Sequence, residues 1–521
     1  MNDNANKGKT MTYAKNGTGP SRRRVLGGIG TFAMGTALGA GLSLPAFAQD
    51  ANTLRVAANG STSDSLDPHR TRAQITDIIR FTNLFDGLCD YAPDATVVNV
   101  LAESFTPNAD ATEWTVKIVS GVTTHAGEPF TAEDVVYSVK RMLDPDNPTR
   151  GASLISFIDA ENVEALDDLT VVFRLKKPYG PFRDIWANRY LRMVPRGFDP
   201  ETAVGTGPFR LTSFTPGRES EFARFDDYFR GPAKVEQLVV VNVADATASM
   251  NALRGGQVDM VYNVPISEAR IIEADPALSL VNNPGSLSIP IYMRTDVAPF
   301  DDPRVREAIR LIANREQMVA IALSGYGEVG NDMQGRTIAP CGDTDVPQRT
   351  PNIERAIELL AEAGQSDLDV EIATTSGTSG MVECAQILSE QARAAGINIR
   401  ANVMDEASYI ANYGNWTFGV DFLSDTYLPV AARSLMPGGS SNNTHWHDEE
   451  FIDLFEQATA TSDEAERCNL IQEMRRIEYE RGGNIIWGFS NTLNATGAHV
   501  QGVETYVSGS PFYHLRLVSK A

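Results

Sequence analysis

The residues of this chain that could support catalysis do not complete the motifs that such chemistry requires. Residues 8–10 (Gly-Lys-Thr) match the end of a phosphate-binding loop, but Asp3 stands where that loop needs its first glycine. Residues 377–380 (Gly-Thr-Ser-Gly) lack the spacer residue of a nucleophile elbow. We therefore expect no catalytic residues and no cofactor. A cofactor-containing enzyme is kept as the alternative.

The segment His445-Trp446-His447-Asp448 offers two imidazoles and a carboxylate to a metal ion. On a strand, residues two apart share a face, so the histidines would point together while Trp446 points away. A zinc site needs at least three protein ligands, and no third ligand is evident in the sequence. We interpret this segment as a loop at a ligand cleft and expect no metal site.

Length and charge bound the class of protein. A chain of 521 residues with 42% hydrophobic and 21% charged residues predicts a soluble globular protein of two or three units. Without residues 1–48, 39 basic residues stand against 66 acidic ones, a net charge of −27. This balance disfavours nucleic acid as a partner, because nucleic acid calls for clustered Lys and Arg. It indicates a solvated acidic surface or, alternatively, a preference for cationic solutes.

The N-terminus has the pattern of an export signal. Residues 21–26 (Ser-Arg-Arg-Arg-Val-Leu) match the twin-arginine motif, and a Gly/Ala-rich apolar region follows. Residues 46–48 (Ala-Phe-Ala) form a small-x-small cleavage site, so we expect cleavage after Ala48. The glycine-rich region and the cleavage site disfavour a membrane anchor. The sequence thus predicts a periplasmic protein that is not embedded in the membrane.

The four cysteines, Cys89, Cys341, Cys384 and Cys468, show no metal-ligand spacing. An exported protein can form disulfides. A Cys341–Cys384 pair is the first to test, because both residues are expected in one domain. Four buried free thiols are the alternative.

The elements that would position a site follow from local patterns. After the turn at residues 205–208, residues 238–243 form a run that is apolar and mostly β-branched apart from Asn242, and it predicts a strand covered on both faces. Trp114, Val116 and Ile118 alternate as in a half-buried strand. Thr131 and Asp134 predict a capping box, Asp302 before Pro303 predicts another helix start, and residues 314–317 (Asn-Arg-Glu-Gln) predict a second box that starts the next helix.

Several segments in order resemble one known family. In chain order, these segments are SLDPH at 65–69, a signature at 101–135, GTGPF at 205–209, FDDYFRG at 225–231, LRGGQVD at 253–259 and a further signature, PFDDPRVREAIRLIANREQM, at 299–318. Together they resemble the extracytoplasmic solute-binding proteins of ABC importers, in the oligopeptide, dipeptide, nickel and opine-binding family (family 5). The resemblance covers nearly all of the chain after residue 48.

The resemblance implies an α/β chain with the two-lobed periplasmic binding protein fold, type II, in the large variant with an extra subdomain in lobe one. We expect a signal peptide at 1–48, lobe one at 49–89, 205–283 and 484–521, the added subdomain at 90–204, and lobe two at 284–483.

The resemblance also implies a function. The protein would capture a peptide or amino-acid-derived solute between its lobes by hinge closure and deliver it, as a monomer, to the permease subunits of an ABC transporter. A ligand receptor for a sensor is an alternative role, and an opine or a nickel complex is an alternative ligand.

In peptide-binding members, a segment similar to residues 415–422 carries an acid that pairs with the ligand's ammonium group. Here Asp421 holds the acid position, Phe418 the preceding aromatic position, and Gly419 lies between them. A desolvated ammonium needs a charged, hydrogen-bonded partner. The usual continuation is replaced by residues 422–427 (Phe-Leu-Ser-Asp-Thr-Tyr), so the rest of the pocket is expected to differ.

The remaining site predictions concern a cation and three aromatics. Arg294, where the family commonly has Asn, would either clamp a ligand carboxylate or pair with Asp296 or Asp301. The aromatic residues that could form walls of the cleft are Tyr427, Trp446 and Trp487.

Overall fold

The computed structural model of the protein describes residues 52–71, 74–147, 149–335 and 341–521. The expected twin-arginine leader and its cleavage site lie outside these residues.

The described strands, in chain order, are β1 (Thr53–Asn59), β2 (Cys89–Tyr91), β3 (Val97–Asn99), β4 (Ala102–Pro107), β5 (Glu113–Ile118), β6 (Ile158–Asp167), β7 (Thr170–Leu175), β8 (Phe209–Thr215), β9 (Glu219–Arg224), β10 (Gln237–Val243), β11 (Met260–Val261), β12 (Leu278–Ser288), β13 (Ile291–Met293), β14 (Gly327–Val329), β15 (Asp369–Thr375), β16 (Asn398–Met404), β17 (Phe418–Val420), β18 (Leu423–Ser424), β19 (Asn484–Ile485), β20 (Gly488–Gly497), β21 (Val500–Gln501) and β22 (Ser519–Lys520).

The described α-helices are α1 (Ile75–Leu84), α2 (Ala132–Met142), α3 (Phe182–Ile185), α4 (Ala246–Arg254), α5 (Ile266–Ala274), α6 (Pro303–Ile312), α7 (Arg315–Ala322), α8 (Ile353–Glu362), α9 (Met381–Ala392), α10 (Glu406–Ala411), α11 (Tyr427–Ser434), α12 (Glu449–Ala460) and α13 (Glu464–Arg481). Short 3₁₀ turns lie at Arg393–Ala395, Pro511–Tyr513 and Leu515–Leu517.

A nine-stranded mixed sheet defines what we call lobe one. Its order is β18-β12-β20-β11-β1-β10-β9-β8, and β14 pairs with β20. The strand β1 runs parallel to β10 and β11 at the centre of the sheet. The consecutive residues Leu238, Val239 and Val240 of β10 are all at most 4% exposed. Both faces are therefore covered there, which confirms the sequence prediction for this strand.

A five-stranded sheet in the order β16-β15-β17-β13-β19 defines lobe two. Helices α6, α7, α8 and α9 contribute buried apolar residues to its core. Asp302 and Asn314 cap the first two of these helices by accepting hydrogen bonds from the backbone N–H groups of Arg304 and Gln317. Both caps were expected from the sequence and are confirmed.

A four-stranded antiparallel sheet, β4-β5-β7-β6, forms the subdomain together with α2. Trp114, Val116 and Ile118 of β5 are buried, as their alternation predicts. The capping box at the start of α2 is also confirmed, since the Thr131 N–H donates to Asp134 Oδ2 at 2.7 Å.

The chain passes between the two large sheets at several described places, since β14 and β18 pair in the lobe-one sheet although their neighbouring strands along the chain lie in lobe two. It leaves lobe one between β12 and β13, and it returns between β19 and β20. Between these, β17 lies in the lobe-two sheet, while β18 pairs with the end of β12 in lobe one. The segment that follows β17, including Asp425 and α11, is therefore held at the junction of the lobes.

The disulfide prediction is wrong. Cys341 is bonded to Cys468 of α13, with a Cα–Cα distance of 4.9 Å, and Cys384 is free. Cys384 is fully buried on α9 in the core of lobe two, whereas Cys341 packs against a separate cluster built by α11, α12 and α13. The two residues share a lobe but not a core, and a disulfide needs Cα atoms within about 7 Å.

Candidate ligand-binding site

The largest described cavity lies where the subdomain, lobe one and lobe two meet, and its volume is about 630 Å³. This is within the range of roughly 300 to 1,000 Å³ that is usual for small-ligand sites. The residues that line it include Asp90, Tyr91, Arg150, Arg189, Arg192, Tyr262, Gly285, Ser424, Asp425, Thr426, Arg433, Tyr513 and His514.

The cavity has an excess of positive charge. Its lining contains four arginines and two aspartates, which leaves two positive charges in excess. The lining also contains His514, and burial lowers the pKa of this imidazole, which favours its neutral form. The lining is thus opposite in sign to the chain as a whole, whose net charge is −22. Such a contrast favours an anionic ligand.

Three of these arginines keep a buried hydrogen-bond donor open. The Nε atoms of Arg189, Arg192 and Arg433 have no hydrogen-bond partner among the described residues. One terminal nitrogen of Arg192 donates to Asp90 Oδ2 at 3.3 Å, and one of Arg433 donates to the Ser424 carbonyl at 2.9 Å. A buried donor without a partner costs about 1–3 kcal/mol. A carboxylate that accepts from a guanidinium edge would remove that cost.

The two aspartates of the cavity differ in their state. Burial alone would raise the pKa of Asp90, but the nearby Arg192 and His514 bring it below its ordinary value. Burial raises the pKa of Asp425, and Arg433 and the backbone N–H of Thr426 offset this only in part. Asp90 is therefore a charged partner of Arg192. The raised pKa of Asp425 disfavours its ionised form, so Asp425 offsets less of the positive charge of the cavity.

A smaller, apolar cavity of about 90 Å³ adjoins the first. The two share Tyr91, Leu154, Asn188, Asp425 and Thr426 in their linings. On one side it is lined by the subdomain and on the other by α11, α13 and the disulfide residue Cys341.

The subdomain touches lobe two beside these cavities. The Gly180 N–H donates to the Thr459 carbonyl at 2.8 Å, and Asp184 lies 3.6 Å from Arg467. A Cβ atom at Gly180 would lie only 1.6 Å from the Thr461 carbonyl oxygen. The structure therefore shows the lobes in contact around the cavities, at a distance that only glycine allows at this position.

The comparisons with known proteins agree with this geometry. The sequence model described as bacterial extracellular solute-binding proteins, family 5 Middle, matches residues 96–444. The chain belongs to this family.

Individual relatives support the assignment. The glutathione-binding protein GsiB of Pectobacterium atrosepticum is 26% identical over 446 residues, which cover 80% of this chain and 85% of that protein. The structure of HbpA2 from Haemophilus parasuis matches with a TM-score of 0.78 at 22% identity, covering 90% of this chain and all of the other. NikZ from Campylobacter jejuni, solved in complex with Ni(L-His), matches with a TM-score of 0.71 at 19% identity and the same coverage. The expected two-lobed α/β binding-protein fold is thereby confirmed.

The family assignment defines what the protein does at a general level. It is an extracytoplasmic protein that binds a solute for ABC import, and its family is one of binding proteins rather than catalysts. Among the described residues, no helix is both long enough and apolar enough to cross a membrane.

Asp421 lies at the lobe junction but takes its partners from lobe two. It is only 3% exposed, and its carboxylate accepts hydrogen bonds from the Tyr413 hydroxyl at 2.7 Å and from Asn443 Nδ2 at 2.8 Å. Burial raises its pKa, and these donors and Arg433 partly oppose the rise. Asp421 is absent from the described linings of both interlobe cavities. Its predicted pairing with a ligand ammonium stays a prediction.

Phe418 and Trp487, which were expected near the ligand, lie in the core of lobe two instead. Phe418 packs on Phe300 with ring centroids 4.9 Å apart, and Trp487 is fully buried. The prediction that Trp487 forms an aromatic wall is therefore wrong, because its indole fills the space under the lobe-two sheet. Gly419 has a packing role, since a Cβ atom there would lie 2.6 Å from the Tyr292 hydroxyl.

The structure places Arg294 and Tyr427, two of the predicted site residues, in different surroundings. Arg294 donates to both oxygens of Asp296, at 2.9 and 2.7 Å, which is one of the two roles expected for it. Tyr427 lines the apolar cavity, and its hydroxyl donates to Glu478 at 3.3 Å.

Trp446 and the neighbouring histidines lie away from the interlobe cavities. Trp446 is 4% exposed and packs on Phe451. The ring nitrogens Nε2 of His445 and His447 contact the Gly414 carbonyl and Glu449, respectively, at 2.8 and 2.9 Å. Each imidazole therefore has its own local partner, and the described part of the chain shows no group of three metal-ligating side chains here or elsewhere.

Sequence reasoning missed Arg189, Arg192 and Arg433, which give the cavity its charge. Arg433 follows the segment 422–427, whose departure from the usual pattern led us to expect an altered pocket. Arg189 and Arg192 lie in the subdomain, beyond the family signature at 101–135. Only the tertiary fold brings the two regions together.

Proposed function

We propose that this protein is the periplasmic receptor of an ABC importer for a peptide or amino-acid-derived solute that carries at least two carboxylates. The observation that carries the proposal is the interlobe cavity, in which arginines from the subdomain and from lobe two keep open donors. A solute that bridges Arg189 and Arg433 would stabilise the closed form, because it binds only when both lobes surround it. The relatives described as glutathione-binding support this choice, since glutathione is a tripeptide with two carboxylates.

Binding of a blocked glutathione tests the proposal. S-Methylglutathione is the probe, because it has no thiol that could react with the Cys341–Cys468 disulfide, and its diethyl ester is the matched ligand without carboxylates. We expect calorimetric titration to detect the acid and to find binding weakened at least 30-fold for the ester. Native mass spectrometry of the untreated protein, followed by denaturing release, would identify the solute that it carries.

Variants locate the interaction. Arg433→Gln should weaken binding of S-methylglutathione by about 2 kcal/mol or more, roughly 30-fold, because a ligand carboxylate would lose a charged donor. Arg476→Gln is the matched control, since its side chain is 44% exposed on α13, where it pairs with Glu473. Equal affinity of the acid and its ester, or failure of the acid to bind, would contradict the proposal.

The export route, the cleavage site and the monomeric state belong to the same proposal. The protein would leave the cytoplasm through the twin-arginine pathway, lose residues 1–48 and act as a monomer that docks on permease subunits. Replacing both Arg22 and Arg23 by Lys should retain the protein in the cytoplasm. The measured mass of the exported wild-type protein should equal that of a chain that begins at Gln49. Cleavage elsewhere would contradict the predicted site.

A further inference from the structure

The apolar cavity beside the arginine-lined one has no role in holding a carboxylate, and this suggests a second element of recognition. Most of its lining is aliphatic or aromatic, including Leu154, Ile185, Leu428 and Ile471. Its ionic groups are Asp184 and Arg467, which pair with each other at 3.6 Å, and Asp425, whose pKa is raised by burial. An apolar group placed there would therefore meet mainly carbon atoms and an ion pair that is already formed.

The walls of this cavity are held in place from behind. Tyr427 donates to Glu478, which also accepts a hydrogen bond from the Gln334 N–H at 2.7 Å. Cys341 is tied to α13 by the disulfide, and the ring of Tyr179 stacks on Phe157 at 4.0 Å. A wall fixed in this way does not collapse into the space, so the cavity is preformed for a ligand group.

The size of the cavity limits what can enter it. Its volume is about 90 Å³. One water needs roughly 10–15 Å³ of cavity, so the space corresponds to on the order of six to nine water positions. A branched aliphatic group or a single aromatic ring has this size.

We propose that the apolar cavity is a specificity subsite, and that the solute is an anionic peptide-like molecule with one apolar side group of up to a single ring. The inference rests on the proposed function, because the carboxylates must anchor the solute in the adjoining cavity. Thr426 and Asp425 lie in the linings of both cavities, so one solute can reach from the arginines to the apolar walls.

The test compares two ligands that differ only in the apolar group. S-Benzylglutathione should bind to the wild-type protein on the order of 10- to 100-fold more tightly than S-methylglutathione, because it buries a ring. Leu428→Trp fills the cavity from α11 and should abolish this advantage, so that the two ligands bind the variant with equal affinity. Ile357→Trp is the matched control, since Ile357 is 45% exposed on α8 of the same lobe. Leu428→Ala is a second variant that needs no extra volume, and it should reduce the advantage of the benzyl group several-fold.

The outcomes separate the two proposals. If S-methylglutathione binds in an Arg433-dependent way and the benzyl group adds nothing, the subsite is refuted and the proposed function stands. If neither ligand binds, the proposed function fails and the subsite as stated fails with it. An unchanged benzyl advantage in both Leu428 variants would place the ring elsewhere and overturn the inference.

Discussion

The protein buries arginines in two regions, the core side of lobe two and the interlobe cavity, and their hydrogen bonding differs. In lobe two, Arg315 uses all three guanidinium nitrogens: Nε and one terminal nitrogen donate to Asp332, and the other terminal nitrogen donates to backbone carbonyls. At the cavity, Arg433 donates to the Ser424 carbonyl, and its buried Nε has no hydrogen-bond partner among the described residues. The hydrogen-bonding groups of Arg315 are satisfied by its own chain, whereas Arg433 keeps the open donor that the proposed carboxylate binding requires.

The open Nε atom alone does not distinguish the two regions. Arg306 and Arg310 of lobe two also have an unpartnered Nε, but their terminal nitrogens are held by backbone carbonyls and they line none of the described cavities. Arg189, Arg192 and Arg433 differ from these two residues because they line the interlobe cavity. Substitutions should therefore reduce stability in the first region and affinity in the second.

The largest effect is expected from Asp332→Asn. Asp332 is 1% exposed and lies 2.6 Å from Arg315 and 2.8 Å from Arg349. Removing its charge leaves two buried guanidinium groups without a counter-ion, and breaking such a pair costs about 3–5 kcal/mol. Urea unfolding should show this loss, with little change in the affinity of the remaining folded protein.

Asp369→Asn is the matched control, because Asp369 pairs with Arg400 on the surface with 54% of its side chain exposed. Surface pairs contribute at most about 1 kcal/mol. If the two substitutions lowered the free energy of unfolding by the same amount, the lobe-two cluster would not be the structural ion pair that its geometry indicates.

Next in size is a pH effect at Glu478, behind the wall of the apolar cavity. Burial raises its pKa from 4.5 to about 7, while the Gln334 N–H, Arg475 and Tyr427 oppose the rise and Asp332 adds to it. The folded protein then holds a proton that the unfolded chain releases, so this contribution to stability is complete below pH 4.5 and falls as the pH rises to 7. The change is on the order of 3 kcal/mol.

Glu478→Gln removes this titration. Urea unfolding between pH 4.5 and 7.5 should therefore show the variant gaining stability relative to the wild type as the pH rises. Glu480→Gln, at an exposed position on the same helix, should follow the wild type. Parallel curves for Glu478→Gln and the wild type would show that Glu478 is already ionised in the folded protein.

A smaller effect is expected at the contact between the lobes. In Gly180→Ala the added Cβ atom cannot occupy a position 1.6 Å from the Thr461 carbonyl oxygen, so the closed arrangement must shift. If closure accompanies binding, affinity should fall about tenfold, or 1.4 kcal/mol. Calorimetry measures the loss of affinity. Small-angle scattering should show that ligand compacts Gly180→Ala less than it compacts Ser462→Ala, a control at an exposed position. An unchanged affinity would mean that the contact forms independently of the ligand.

The sequence predicted the parts of this fold that depend on local patterns. The alternation of Trp114, Val116 and Ile118 and the caps at Thr131, Asp302 and Asn314 are determined by neighbouring residues, and all were confirmed. The family signatures gave the two-lobed fold for the same reason, since they record turns and strand starts.

The site was harder to predict because its residues are distant in sequence. Arg189 and Arg433 are separated by nearly half of the chain, and nothing local to either marks it as a cavity residue. Trp487 was misassigned because an aromatic residue at a strand end looks the same whether it faces a cleft or a core. Cys341 was paired wrongly because lobe two contains two separate apolar cores, and the sequence does not show which helices share one.

The smallest effect expected on binding of the anionic solute is that of Asp421→Asn. Its carboxylate already accepts hydrogen bonds from Tyr413 and Asn443, so the affinity for S-methylglutathione should change by less than about 1 kcal/mol. The control ligand is the N-acetylated form, which lacks the ammonium group that the family resemblance assigns to this acid. A loss of tenfold or more that disappears with the acetylated ligand would place Asp421 at the ammonium after all. The site would then recognise both ends of a zwitterionic peptide, with the acid of lobe two acting beside the arginines of the cavity.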